Sequence, residues 1–375
     1  MTSALYSHYV IDGVEQELTP ARILDSCLVG KAPQRPEGEA DETVSDESID
    51  RFIRPCVTRA ERIDEYLNMV LAARAPRKAA ELPFVDFYTR QKIALRLIEA
   101  IWRKGHFKLG NLALTLDWKW DRGIRGSMAA FYTSVSAAGD YIDALGIRLK
   151  SYSYSETPNK STLSVKASVL REDGPEEEIE EENADPRLGT RRACPAKFLD
   201  EESAWIVYVP FDDGKFRLGG SRLAAALDAS GEGTPQLLDA DYFIDCYEVV
   251  REMVEDGVAL AGATVGEGGL MAALHAMTEG GAGVEVELGG LMRSSGEKDI
   301  VKLLFAEVPG VVMQIADSDY DYVDAEFLLQ DVAYFPLGHI TPGRSGVKVK
   351  VTDLSPVSSI LESILRSQSS SEGED

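Results

Sequence analysis

Between about residue 200 and residue 342, short apolar runs alternate with amphipathic ones in a steady rhythm. "AWIVYVPF" reads as a buried strand, and "DADYFIDCYEVVREMVEDG" as an amphipathic helix that Gly257 ends. "VALAGAT" is a strand, "GEGGLMAALHAMTEG" a helix and "AGVEVEL" a strand. "EKDIVKLLFAEVPG" then reads as a helix, "GVVMQIA" as a strand, and a further helix precedes the strand "VAYFPLGHI". Strands regularly separated by helices bury their apolar faces only by laying helices on a sheet, so this stretch predicts one compact α/β (α+β) domain.

The first half is less regular. Asp12-Gly13 suits a hairpin turn, and Pro20 suits the first position of a helix. Residues 36–50 read as a linker. Thr58 and Glu61 have capping-box spacing ahead of Ile63, Tyr66, Leu67, Val70 and Leu71, which share one helical face. A second helix covers about 86–104 with Ile93, Leu97, Ile98 and Ile101 inward. "NLALTLDWKW" (111–120) is a strand, a helix rich in small residues runs from about Ser127 to Leu145, and 161–170 is another strand. The domain boundaries expected are an N-terminal arm and acidic linker (1–57), a first α/β domain (58–171), an acidic loop (172–190), a second α/β domain (191–345), and a C-terminal strand or helix with a disordered tail (346–375).

The net charge of −24 is concentrated rather than spread. Residues 37–50 hold seven acids and residues 172–185 nine, with no base in either run. The rest of the chain is only mildly acidic, so these runs read as solvated loops. No basic stripe interleaved with aromatics is present, which argues against nucleic-acid binding. No apolar run reaches 18 residues and no charged-then-apolar leader is seen, so no membrane association is expected and the chain reads as cytoplasmic. The four cysteines lack CxxC spacing and the four histidines lack HxH or HxxxH spacing, so reduced structural thiols are expected and a zinc site is not.

Two glycine pairs are the chemical candidates. Gly219-Gly220-Ser221 in "LGGSRLA" and Glu267-Gly268-Gly269 in "VGEGGL" each sit where a turn opens a helix. Backbone amides there favour an anion such as phosphate. The competing reading is that the glycines only permit tight turns, with Ser221 as the helix cap. Trp118 and Trp120 read as core-edge aromatics, Glu307 as a solvated acid at a helix end, and His275 as a packed or surface histidine. No Ser-His-Asp or Cys-His set is suggested by spacing.

Five segments in order carry a resemblance: "LGGSRLA" (218–224), "GGLMAALHAM" (268–277), "GAGVEVEL" (281–288), "LLFAEVPGVVMQI" (303–315) and "LGHIT" (337–341). Together they resemble the aminoimidazole ribonucleotide synthase-like superfamily, and within it the second synthetase half of phosphoribosylformylglycinamidine synthase. The resemblance spans about residues 25–342. It implies a two-domain fold with nucleotide in the cleft between domains, pairing of first domains, and an ATP- and magnesium-dependent, amidine-forming ligase reaction of purine biosynthesis. It also implies departures. Where the family carries Gly-Lys-Asp-Ser-Leu-Ser, this chain has Asn159-Lys160-Ser161-Thr162-Leu163-Ser164, so the lysine stays and the carboxylate becomes Ser161. Where the family carries His-Asp-x-Ser-Asp-Gly-Gly-Leu, this chain has residues 263–270, "ATVGEGGL", with Glu267 as the one remaining acid. The segment between Ala73 and "LPFVDFY" is short, as if the first domain were truncated, and no glutaminase is seen.

Magnesium takes several oxygen ligands, and a site left with Glu267 alone is thin. The expectation is therefore a degenerate synthase relative, a non-catalytic binding or interaction protein. The alternative is an ATP-dependent ligase, or a subunit of one. The tentative phosphate- or nucleotide-binding set is Lys160, Ser161, Thr162, Gly219, Gly220, Ser221, Glu267, Gly268 and Gly269, with Glu267 the candidate metal ligand for Mg with ATP or ADP. The expected partner is a second copy or a related synthase half.

Overall fold

In the computed structural model, residues 4–30, 32, 42–49, 54–72, 82–170, 177–179, 192–212 and 214–350 are described. The acidic loop, apart from 177–179, and the tail expected to be disordered lie outside them.

The arm opens with β1 (His8–Ile11) and β2 (Val14–Glu15), joined through Asp12 and Gly13, both at positive φ, as a tight hairpin turn requires. Helix α1 (Pro20–Asp25) starts at Pro20, and the Thr19 hydroxyl accepts from the Arg22 amide. The supposed linker is not all linker. Residues Thr43–Asp46 form β3, which pairs in parallel with β1 and completes a three-stranded sheet in the order β2-β1-β3. The acids of this stretch explain why it is fixed: Glu42 pairs with Arg122, Glu47 with Arg125, and Asp46 binds the start of a helix described below.

Helices α2 (Ile63–Ala72) and α3 (Val85–Ile101) precede β4 (Leu112–Trp120), α4 (Ser127–Ala144), β5 (Arg148–Glu156), β6 (Thr162–Val169) and β7 (Glu177–Ile179). The strands make a four-stranded sheet, β5-β4-β6-β7, with β4 and β5 parallel across α4. The Thr58–Glu61 capping box does not form. Thr58 instead donates to Asp299 Oδ2 at 2.7 Å, and a short 3₁₀ turn at Ala60–Arg62 leads into α2.

The second half comprises β8 (Trp205–Pro210), α5 (Arg222–Ala226), α6 (Ala240–Glu255), β9 (Ala259–Val265), α7 (Gly269–Thr278), β10 (Gly283–Glu287), α8 (Gly289–Ser295), α9 (Ile300–Phe305), β11 (Gly310–Ile315), α10 (Tyr320–Leu329), β12 (Phe335–Thr341) and β13 (Val347–Lys350). Its six-stranded sheet runs β13-β10-β12-β8-β11-β9. The expected alternation of strand and helix is thus observed, and the chain is mixed α/β.

Strand periodicity decides how the layers meet. On β8 and β11, Val207, Val209, Val311, Met313 and Ile315 face one core, which runs through α6, α3 and α4 to the four-stranded sheet. Ile206, Tyr208 and Val312 face the other core, built with α2, α7 and α9. Helix α3 therefore lies between the sheets, with Ile93, Leu97, Ile98 and Ile101 wholly buried. Its polar side chains reach both ways: Arg96 donates to the Val165 carbonyl on β6 at 3.0 Å, and Gln91 donates to the Glu307 carbonyl at 2.9 Å. Trp118 and Trp120 are fully buried as core residues, each with its indole N–H satisfied, by Ser134 Oγ and by the Ser127 carbonyl. Among the described residues, no helix is long and apolar enough to cross a membrane.

Candidate functional site

The two glycine turns come together at the starts of α5 and α7. Ser221 caps α5 as expected, its hydroxyl accepting from the Ala224 amide at 3.1 Å. A Cβ at Gly219 would lie 2.2 Å from the Gly233 carbonyl oxygen, so the backbone approach alone demands glycine there. Gly269 has φ +71, and a Cβ on it would lie 2.7 Å from the Leu304 carbonyl oxygen. The tight-turn reading of these glycines thus has a direct steric cause.

Glu307 joins the two turns. It is buried, not solvated as its helix-end position suggests. Its Oε1 accepts from the Arg222 amide at 2.7 Å and from the Gly268 amide at 2.9 Å. One carboxylate oxygen thereby binds the first amide of α5 and the amide of the residue that caps α7, at the positive end of each helix dipole. The sequence signal for this is faint: an acid just past the end of α9, two residues before Pro309, reads as exposed unless its partners are known.

Glu267 is equally engaged. Its Oε1 lies 3.0 Å from Lys92 Nζ on α3, and its Oε2 accepts from Arg222 Nη2. The Glu267, Lys92 and Arg222 side chains are all largely shielded from solvent. Lys92 carries no sequence signal, because it is a lone lysine on a long helix. Arg222 adjoins the Ser221 cap, and that adjacency was the available clue.

Lys160, Ser161 and Thr162 sit elsewhere, at the turn into β6. Asn159 there has φ +62, and the buried Ser161 hydroxyl accepts from the Asp121 amide at 3.2 Å. Asp121 accepts in turn from the amides of Gly123 and Asn159, at 2.8 and 2.7 Å. Among the described residues, this turn makes no hydrogen bond or ion pair with the glycine turns. The nine expected site residues therefore split into two groups: six at the α5 and α7 starts, and three held in a turn organised by Asp121.

Magnesium with a nucleotide fits this donor set poorly. Both Glu267 oxygens already face side-chain cations, and Lys92 and Arg222 place positive charge where a divalent ion would have to enter. Glu307 gives an oxygen to two backbone amides instead. Among the described residues, no group of three or more His, Cys, Asp or Glu side chains could hold a metal. The Gly268 amide, which would receive a phosphate, is committed to Glu307. His275 lies 3.7 Å from Glu279 one turn along α7, a local contact and not a base aimed at the turns.

The cysteines are unpaired, and Cys27, Cys194 and Cys246 are buried. Burial pushes the Cys194 thiol up to about 11, against a smaller lowering by Arg192. It stays protonated near neutral pH and is no nucleophile.

Residues 214–350 match the family described as AIR synthase related protein, C-terminal domain. Over 274 residues the chain is 25% identical to the probable phosphoribosylformylglycinamidine synthase, chloroplastic/mitochondrial, of Arabidopsis thaliana, covering 72% of this chain and 18% of that protein. It is 25% identical over 239 residues to phosphoribosylformylglycinamidine synthase of Homo sapiens, covering 63% of this chain and 17% of that protein. The corresponding Drosophila melanogaster protein is 32% identical over 160 residues, 40% of this chain and 12% of that protein. The chain is thus similar to the AIR synthase related C-terminal domain and to part of the phosphoribosylformylglycinamidine synthases. It spans less than a fifth of the length of the curated relatives it matches. The matched residues include both glycine turns, and α2 and α3 pack as layers on either face of the six-stranded sheet.

Proposed function

We propose that this chain is a non-catalytic relative of the purine-biosynthetic formylglycinamidine ribonucleotide synthases, keeping the scaffold and acting through binding. One observation carries the reading: both oxygens of Glu267, the remaining acid of the glycine motif, are engaged by Lys92 and Arg222. A carboxylate neutralised twice by its own chain has little to offer a metal–triphosphate, because any ion must displace cations tethered beside it. Ser161 in place of a carboxylate, and its engagement with Asp121, support the same conclusion. Pairing with a second copy or with a related synthase half belongs to this proposal, as does a cytoplasmic location.

Calorimetric titration with Mg-ATP and Mg-ADP tests it. A ligand that binds the folded state raises stability by about 2.7 kcal/mol at a hundredfold excess over its dissociation constant. The expected result is no heat of binding and no rise in melting temperature at millimolar nucleotide. Saturable binding, or amidine formation from the formylglycinamide substrate with ammonia and ATP, overturns the proposal in favour of a ligase. Light scattering reads the pairing separately.

A further inference from the structure

Helix α10 is apolar on two opposite faces. Val323 and Phe327 are fully buried in the core. Leu328 and Leu329 turn away from it and are 78% and 76% exposed, and Tyr322 is 42% exposed. At 100° per residue, positions 322, 325 and 329 form one outward stripe, and Leu328 lies beside it. A single exposed leucine needs no explanation, but two adjoining ones on a stripe with a half-exposed tyrosine form a patch.

The surroundings of the patch carry one sign of charge. From Asp317 to Tyr334 the sequence has six acids and no lysine, arginine or histidine. Asp321 and Asp324 border the stripe on one side and Glu326 on the other. The end of α6 adds Asp256, which accepts from the Tyr322 hydroxyl at 3.4 Å. That phenol is raised above its usual range by partial desolvation first, and then by the carboxylates of Glu326, Asp256 and Glu252.

We infer that the outer face of α10 is a docking surface for a basic amphipathic helix of another protein, whose apolar side chains would cover Leu328 and Leu329 while its lysines and arginines meet the acidic border. This is recognition of a helix by its apolar anchors, with register and on-rate set by complementary charge. Charge also selects among occupants. A second copy docking through the same face would set acids against acids, since a two-fold contact brings like surfaces together. Residues 351–375 hold five acids and one arginine, the same sign as the face. An anionic lipid surface would be repelled.

The test uses the full chain and a fluorescein-labelled synthetic peptide of about five helical turns, with leucine and lysine at amphipathic spacing. Anisotropy should show micromolar binding that weakens about tenfold between about 0.1 M and 1 M salt, as the Debye length shrinks. The L328S/L329S variant should bind about tenfold more weakly at unchanged melting temperature, because neither side chain is part of the core. D321N/E326Q should bind more weakly with a shallower salt dependence. The inference fails if the wild-type chain does not bind the peptide, or if L328S/L329S binds it as well as wild type. It also fails if that variant turns a dimer into a monomer by light scattering, which would make the face a self-contact, or if removing residues 351–375 is what creates peptide binding. The face lies on the opposite side of the six-stranded sheet from α7, so this result and the nucleotide titration are read independently.

Discussion

Two carboxylates in this molecule do the same job in different settings. Asp46 reaches from β3 to the start of α4, where its oxygens accept from the amides of Gly126, Met128 and Ala129 at 3.0, 2.9 and 3.1 Å. Glu307 reaches from the end of α9 to the starts of α5 and α7. In both places a helix start that would attract an external anion is filled by an acid from a distant part of the chain. The difference is solvent. Asp46 comes from a short strand of the arm and works at a partly open surface, where water can replace it. Glu307 is buried under the turns, where water cannot. The same electrostatic preference thus gives a clasp in one place and a structural cross-link in the other.

Mutations can break this comparison, and the largest effect should come from Glu307. Glu307→Ala leaves the amides of Arg222 and Gly268 without this acceptor, at about 1–3 kcal/mol for each buried group. Denaturant melts should show a loss near the upper end of that sum, and a loss under 1 kcal/mol would contradict the buried cross-link. Next comes Lys92→Met, which takes one cation away from Glu267 in a shielded site. About 1–2 kcal/mol should be lost, less than for a fully buried pair because all three side chains retain some solvent contact. Adding Glu267→Gln should recover part of it, and a double-mutant cycle with a coupling of about 0.5 kcal/mol or more verifies the pair. Asp46→Ala should cost about 1 kcal/mol, the usual value of a lost helix cap, with Asp46→Asn costing less because its amide oxygen still accepts. If Asp46→Ala proves as damaging as Glu307→Ala, the contrast between open and buried clasps is wrong.

The smallest effect concerns pH. Burial raises the Cys194 thiol in the folded chain from the 9.0 of a free thiol to about 11. The folded state keeps the proton that the unfolded chain gives up, so this contribution is whole below pH 9 and is lost as the pH climbs through about 11. Cys194→Ser should flatten that alkaline decline in a series of thermal melts. An unchanged slope would place its cause elsewhere, for instance in Cys246, also raised by burial.

Much of the fold could be read from the chain because its signals were local. The Ser221 cap, the Asp12-Gly13 turn and the Pro20 helix start each depend on residues within a few positions. The alternation after residue 200 located every strand from β8 to β12, although α9 is shorter than its apolar pattern suggested and α8 was not expected. What escaped was non-local. The acids of β3 looked like solvated linker because Arg122, Arg125 and the α4 amides lie about 80 residues away. Glu307 looked exposed for the same reason. Thr58 had the right spacing for a capping box, but Asp299 offered a better-placed acceptor. Of the candidate site, sequence located the glycine turns but not their neutralising partners. Lys160 to Thr162 joined the set by motif resemblance, and the chain holds them at a different sheet.

Helix α3 has a consequence for how the protein can be divided. With Arg96 anchored to β6 and Gln91 anchored beside α9, it is a beam common to both halves. A fragment beginning at residue 191 would keep the residues that match the AIR synthase related C-terminal domain but uncover Val207, Val209, Val311, Met313 and Ile315 where α3 and its neighbours had lain. Such a piece should be sticky and poorly soluble, and the intact chain should melt in one step, because neither sheet can let go of the beam without exposing the other.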